Sequence, residues 1–68
     1  MQIYVNGESK EISDNLLLSE LIQLLELPQQ RIAVELNREV VRRTIWESTV
    51  LHGDDRIEIV HFVGGGSR

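Results

Sequence analysis

Three consecutive glycines near the end of the chain, Gly64, Gly65 and Gly66, form the part of the sequence most suited to chemistry. A segment without side chains can enter a narrow tunnel that excludes any residue with a Cβ atom. The group that such a tunnel would receive is a terminal carboxylate. An ATP-dependent partner can convert this carboxylate to an acyl adenylate, and a sulfur donor can then attack it to leave a thiocarboxylate. The tail therefore predicts a carrier whose catalytic groups belong to its partners.

The other side chains give little support for catalysis. The chain has no Cys, which excludes thiol nucleophiles, thiolate metal sites and disulfides. His52 and His61 have no neighbouring nucleophile in the sequence, and Asp54-Asp55 is typical of a solvated turn. Their spacing supports a metal bound by His52, Asp54 and Asp55 only weakly. We therefore expect neither a catalytic side chain nor a metal site.

Length and charge restrict the class of protein further. Sixty-eight residues allow one small domain, and a formal net charge of -4 disfavours binding to the phosphates of a nucleic acid. The first residues lack the basic and apolar pattern of a secretory signal, and no apolar run is long enough to span a bilayer. We expect a cytoplasmic protein that binds neither nucleic acid nor membrane.

An apolar pair just ahead of the glycines predicts a docking surface. If Ile57 and Ile59 face the core, strict alternation places Val60 and Phe62 on the solvent face of the same strand. Exposed aromatic residues contribute strongly to binding energy in protein interfaces. The alternative is that the strand twists near its end and turns Phe62 inward.

Three further features are expected to be structural. The pair Arg42-Arg43 is typical of a solvated face, and Trp46 of a core residue or a lid over the core. Between Arg43 and Leu51, we expect Trp46, Val50 and Leu51 to fill the core separately. A leucine-rich stripe in the predicted helix, widened by Leu24, is also expected to be core.

Periodicity in the apolar positions predicts the secondary structure. A period of two residues indicates strands, and a period of three to four indicates a helix. The Asn6-Gly7 pair predicts a hairpin turn, the polar residues 13–15 offer caps for the helix, and Pro28 ends it. The predicted elements are strands at 1–6 and 8–12, a helix at 18–26, strands at 31–37 and 40–42, at most one helical turn between 43 and 51, and a strand at 56–62.

This order of elements predicts an α+β fold. A right-handed crossover after the first hairpin places the first and last strands side by side in the middle of a mixed sheet of four or five strands. One main helix on one face of such a sheet is the β-grasp arrangement. We expect a β-grasp domain at 1–63 and a flexible glycine-rich tail at 64–68. Since the tail leaves directly from the predicted central strand, a functional tail is favoured over an unstructured end.

The sequence resembles the small sulfur-carrier proteins of thiamine biosynthesis, which are ubiquitin-like β-grasp proteins. The resemblance extends from Met1 to Gly66, and its most specific part is the last twelve residues. The segments that carry it are Met1-Gln2-Ile3, Asn6-Gly7, Leu18-Ser19-Glu20-Leu21-Ile22, Val34-Glu35-Leu36-Asn37-Arg38-Glu39-Val40-Val41 and Asp55-Arg56-Ile57-Glu58-Ile59-Val60-His61-Phe62-Val63-Gly64-Gly65-Gly66.

The resemblance implies a role for each residue near the tail. Gly66 would be adenylated by an activating enzyme that uses ATP and Mg²⁺, and would then carry a thiocarboxylate with sulfur derived from a cysteine desulfurase. Thiazole synthase would take up that sulfur. Gly64 and Gly65 would thread the channel of the partner, while Val60 and Phe62 would contribute to docking. The carrier itself would bind no cofactor and would not be an enzyme.

One departure from the family pattern and two other functions stay open. Ser67 and Arg68 follow Gly66, so that its carboxyl group is in an amide bond and cannot be adenylated. Either a peptidase removes these two residues, or they are an artefact, or this copy is inactive; we favour the first two. The alternative functions are a sulfur carrier of the type that serves as small subunit of molybdopterin synthase, and a ubiquitin-like module that binds a partner without becoming covalent.

Overall fold

A computed structural model describes residues 1–62 of the chain. The predicted tail at 64–68 lies outside the described residues, as does Val63. The strands are β1 (Gln2–Val5), β2 (Glu8–Glu11), β3 (Ile32–Leu36), β4 (Glu39–Val40) and β5 (Arg56–His61). They form a single sheet in the order β2-β1-β5-β3-β4, with β1 and β5 parallel and the other neighbours antiparallel. The predicted central pair of first and last strand is confirmed.

The helical elements lie between the strands. They are the α-helix α1 (Leu18–Leu24) and two 3₁₀ helices, Gln29–Arg31 and Arg43–Ser48. The second 3₁₀ helix has six residues, which is about two turns rather than the single turn expected. Its end is held by the hydroxyl groups of Ser48 and Thr49, which both donate to the Ile45 carbonyl, at 3.2 and 2.6 Å.

Two-residue turns connect both hairpins of the sheet. Asn6 and Gly7 have φ angles of 49° and 86°, which is the positive-φ geometry that an Asn-Gly turn provides. Asn37 and Arg38, with φ angles of 52° and 74°, connect β3 to β4 in the same way. Because the second turn has only two residues, Glu39 already pairs with Leu36, and β4 lies at 39–40 instead of the predicted 40–42.

The α-helix α1 begins at Leu18 as predicted, but the residue that precedes it differs from the predicted cap. The residue before the helix is Leu17, not one of the polar residues at 13–15, and no side chain caps the helix from that position. Instead, Glu20 Oε1 accepts from the Leu17 N–H at 2.9 Å, and the Thr49 carbonyl accepts from the Leu18 N–H at 2.8 Å. Since Leu17 also forms a bridge with Val50, tertiary pairing determines where the helix begins.

The helix packs on one face of the sheet and ends earlier than predicted. It ends at Leu24 rather than Glu26, and Glu26 adopts a positive φ of 56°. The predicted apolar stripe is narrower than expected, because Leu24 is 66% exposed. Val50, which was expected in the core, is 39% exposed because its backbone pairs with Leu17 at the surface.

The core consists of apolar residues from the helix, three strands and the segment after β4. Trp46 belongs to it, with 2% exposure, and its Nε1–H donates to the Val41 carbonyl at 2.8 Å. The prediction that Trp46 is a core residue is therefore confirmed. Within residues 1–62, no helix combines the length and apolar character needed to cross a membrane. The buried apolar residues are Ile3, Val5, Leu18, Leu21, Ile22, Ile32, Val34, Trp46, Leu51, Ile57 and Ile59.

Candidate functional site

The end of β5 leads the chain out of the middle of the sheet. β5 pairs with β1 on one side and with β3 along five residue pairs on the other. The Phe62 N–H donates to the Arg31 carbonyl at 2.7 Å, which continues the pairing with β3 to the last described residue. The predicted site residues Gly64, Gly65 and Gly66 lie outside the described residues. Their predicted roles in threading and in forming the thiocarboxylate stay predictions.

An apolar surface lies on the face of the sheet opposite the helix, next to the end of β5. Val60 and Phe62 are 61% and 52% exposed, which confirms the outward orientation predicted by alternation. Ala33 lies opposite Val60 in the pairing of β3 with β5, and Val40 on β4 is 72% exposed. We call these four residues the sheet patch. Ala33 and Val40 were not identified from the sequence, because only the strand pairing places Ala33 opposite Val60 and brings Val40, opposite Glu35, to the same face.

Two carboxylates lie beside the sheet patch. Glu35 and Glu58 are direct cross-strand partners on β3 and β5, and Val40 faces Glu35 from β4. Like charges in this arrangement destabilise a sheet slightly. Among residues 1–62, neither carboxylate takes part in an ion pair. The exposed face thus combines an apolar area with two acceptor groups suited to a partner's cationic side chains.

Asn6 supports β5 where β1 has ended. Its side-chain Oδ1 accepts from the Ile59 N–H at 2.7 Å, and its Nδ2 donates to the Ile59 carbonyl at 3.3 Å. An amide side chain therefore replaces the next residue of a strand, directly before Val60. From the sequence, Asn6 was assigned only to the turn. Its amide was the feature that could have indicated this second role, because it supplies both the donor and the acceptor that the edge of a strand needs.

Asp55 is buried, which contradicts the prediction of a solvated Asp54-Asp55 turn. Its exposure is 9%. The carboxylate accepts from the His52 N–H at 2.7 Å and from Asn37 Nδ2 at 3.0 Å, and Asn37 Oδ1 in turn accepts from the Arg56 N–H at 2.9 Å. These bonds connect the turn before β5 to the β3–β4 turn. Asp54, with a positive φ of 68°, remains exposed.

The weakly supported metal site does not form. His52 Nδ1 lies 4.0 Å from Asp55 Oδ2, and the carboxylate is already bound to Asn37 and to the His52 backbone. In the described part of the chain, no group of three or more His, Cys, Asp or Glu side chains is placed to hold a metal ion. The Asp55 carboxylate and the His52 backbone N–H instead hold the turn together.

The sheet order, the single helix on one face and the glycine-rich sequence after the central strand define a ubiquitin-like β-grasp protein. The comparisons with known proteins agree with this class. Residues 3–66 match the model of the ThiS family. The chain belongs to the ThiS family.

The named relatives differ in how much of their own length this chain matches. The "Sulfur carrier protein ThiS" of Bacillus subtilis is 34% identical over 94% of this chain and 98% of its own length. A "Thiazole synthase" of Magnetococcus marinus is 41% identical over 97% of this chain, but the chain spans only 20% of that protein's length. A crystal structure of a thiamine biosynthesis protein (ThiS) from Geobacter metallireducens superposes with a TM-score of 0.84 and 33% identity, covering 97% of this chain and all of the other.

Proposed function

We propose that this protein is a sulfur carrier of thiamine biosynthesis and that Gly66 is the residue that carries the sulfur. The main support is that the family match ends at Gly66, the last of the three glycines that follow the central strand. The name of the Bacillus subtilis relative, which has nearly the same length, agrees with this function. The chain supplies the acyl group and no catalytic side chain.

The proposed reaction has two steps at the Gly66 carboxyl group. First, a carboxylate oxygen attacks the α-phosphorus of ATP, and the bond to pyrophosphate breaks to leave an acyl adenylate. Second, hydrosulfide attacks the acyl carbon, the bond to AMP breaks, and a thiocarboxylate remains after loss of the proton. Neither step changes an oxidation state. Both steps require a free Gly66 carboxylate, and therefore a chain in which the Gly66–Ser67 bond has been hydrolysed.

The sheet patch is the proposed docking surface for the adenylating enzyme. It is exposed, apolar and adjacent to the tail, so that binding there brings Gly66 toward an active site a short distance away. From Phe62 to Gly66 the chain has four more residues, which span at most about 14 Å when extended. In this proposal, ATP and Mg²⁺ bind to the activating enzyme, and Val60 and Phe62 bind to its surface.

Thiazole synthase is the proposed acceptor of the sulfur. The support is that a segment similar to this chain occupies about a fifth of a protein named thiazole synthase. We propose that a cysteine desulfurase supplies the sulfur as an enzyme-bound persulfide, from which a thiol reductant releases the hydrosulfide used in the second step and is itself oxidised to a disulfide. Because the reaction consumes ATP, we propose that it takes place in the cytoplasm.

Growth of a bacterium that lacks its own carrier tests this function. A chain ending at Gly66 is expected to restore growth without thiamine, whereas a chain ending at Val63 is expected to fail although it keeps the whole sheet. Added thiazole should rescue both strains, which shows that the defect lies in thiazole formation. If the chain ending at Gly66 accumulates in folded form and growth still depends on added thiazole, the proposed function is wrong.

A further inference from the structure

A groove of about 380 Å³ lies between β3 and the segment that follows β4. Ile32, Ala33 and Val34 form one wall, and Val41, Arg42 and Arg43 form the other. Three members of the sheet patch, Ala33, Val40 and Phe62, line the groove. The carrier function proposed above uses the tail and the sheet patch but assigns no role to the backbone edge of β3 or to Arg42 and Arg43.

One wall of the groove is an open strand edge. β3 pairs with β5 along its whole length, but it pairs with β4 only at Glu35 and Leu36. Beyond these two residues, the Val41 N–H still donates to the Val34 carbonyl at 2.9 Å. The chain then leaves the sheet, because the Val41 carbonyl accepts from the Trp46 indole instead of pairing with β3. In the part of the chain that the structure describes, Ile32 and Ala33 have no strand neighbour on this side.

The free backbone groups of this edge point into the groove. Arg31 accepts from Phe62 on the β5 side, and hydrogen-bonding directions alternate along a strand. The backbone groups of Ile32 and Val34 are therefore directed to the opposite side, away from β5. Such an edge is a template for an additional extended strand, and binding by strand addition is a common way to recognise a peptide.

The other wall carries positive charge. Arg42 and Arg43 are both exposed, and within residues 1–62 neither forms an ion pair. The chain as a whole has a formal net charge of -4, so that this pair of cations is a local exception. Guanidinium groups form strong bidentate hydrogen bonds with carboxylates. The charge of this wall therefore favours an acidic ligand.

We propose that the groove binds an extended acidic peptide segment of a partner protein. The segment adds as a strand to the open edge of β3, and its carboxylates pair with Arg42 and Arg43. Because Ala33, Val40 and Phe62 belong to both the groove and the sheet patch, the bound segment overlaps part of the docking surface. This interaction does not depend on the chemistry at Gly66.

A titration followed by the backbone amide resonances of the 68-residue protein tests the proposal. The probe is an acetylated and amidated hexapeptide of alternating valine and glutamate. We expect the largest shifts at Ile32, Ala33, Val34 and Arg43. The matched peptide with lysine in place of glutamate should not bind comparably, and N-methylation of alternate peptide bonds on the β3-facing side should abolish binding.

Paired charge reversals test the role of the arginines. The double variant Arg42→Glu, Arg43→Glu should weaken binding of the valine–glutamate peptide by about tenfold or more, since it removes charge-assisted hydrogen bonds. A control double variant, Arg38→Glu, Arg31→Glu, makes the same change in net charge outside the groove walls and should retain affinity within about threefold. Amide spectra of both variants establish that they are folded.

Four results would overturn the proposal. The largest amide shifts could lie outside the groove, or the lysine peptide or the N-methylated peptide could bind as tightly as the valine–glutamate peptide. The fourth result is that both double variants lose the same amount of affinity for the valine–glutamate peptide. A fifth result would also overturn it. If deletion of residues 64–68 shifts the amide resonances of the groove in the absence of peptide, the groove binds that segment of the chain and not a partner. None of these results bears on sulfur transfer, which the growth test measures separately.

Discussion

At the scale of single residues, two polar side chains hold the strand that leads to the tail. Asn6 hydrogen-bonds to both backbone groups of Ile59, and Asp55 connects the turn before β5 to Asn37. Both contacts join residues that are distant in sequence, and both act directly on β5. The position of Val60 and Phe62 on the exposed face therefore depends on side chains outside the sheet patch.

The buried carboxylate of Asp55 allows a matched test. In Asp55→Asn, one of the two acceptor oxygens becomes an amide that faces the N–H of His52 or the Nδ2 of Asn37, so that a buried donor loses its partner. We expect the free energy of unfolding to fall by about 1 to 3 kcal/mol. Asp54→Asn makes the same charge change at an exposed position and should stay within about 0.5 kcal/mol of the parent.

Chemical denaturation of the two Asn variants measures this difference. Equal stability of Asp55→Asn and Asp54→Asn would contradict the assignment of Asp55 as a buried hydrogen-bonding residue.

Phe62 permits a separate test of the sheet patch. Phe62→Ala should weaken binding of the adenylating enzyme by about tenfold or more, because exposed aromatic residues often dominate interface energies. Its free energy of unfolding should change by less than about 1 kcal/mol, because the side chain is half exposed. Leu24→Ala removes an exposed apolar side chain on the helix and should leave binding unchanged. Equal affinities of the two variants, measured by calorimetry, would contradict docking through the sheet patch.

At the scale of elements, the central pair of strands and the features that local sequence determines were predicted, whereas several details that tertiary contacts determine were not. The Asn6-Gly7 turn and the alternation in β5 depend on neighbouring residues, and both predictions are confirmed. The polar cap predicted for α1 was wrong because the Leu18 N–H is satisfied by Thr49, about thirty positions further along the chain. The burial of Asp55 was missed for the same reason, since its partner Asn37 belongs to another turn.

The candidate site contains residues that could be identified from the sequence and residues that could not. Val60 and Phe62 were identified because they precede the glycines and alternate with buried residues. Ala33 and Val40 were not, because only the strand pairing places Ala33 opposite Val60 and brings Val40 to the same face of the sheet. The open edge of β3 was likewise beyond sequence reasoning, because it depends on the two-residue length of β4.

The helix allows a test of the core at this scale. Leu21 is 1% exposed and Leu24 is 66% exposed, although both lie in α1 and have the same side chain. Leu21→Ala should lower the free energy of unfolding by about 2 to 5 kcal/mol, since it leaves a cavity against the sheet. Leu24→Ala should lower it by less than about 1 kcal/mol. Similar denaturation midpoints for the two variants would show that the helix face is misassigned.

At the scale of the whole molecule, the fold places the residues that stabilise it and the exposed sheet patch on opposite faces of the sheet. The helix and the core occupy one face of the sheet, while the sheet patch occupies the other face, beside the end of β5. A partner that binds the patch therefore does not disturb the packing of the core. The central position of β5 also means that ladders on both sides hold the strand that bears the tail.

The central claim is that the Gly66 carboxylate becomes a thiocarboxylate, and the intact mass of the protein tests it most directly. The chain ending at Gly66 is incubated with ATP, Mg²⁺, the adenylating enzyme and sulfide, and a chain ending at Val63 serves as control. We expect the first chain to gain the mass difference between one sulfur and one oxygen atom, and the second to remain unchanged. An unchanged mass of the chain ending at Gly66, with active enzyme and ATP present, would contradict the account.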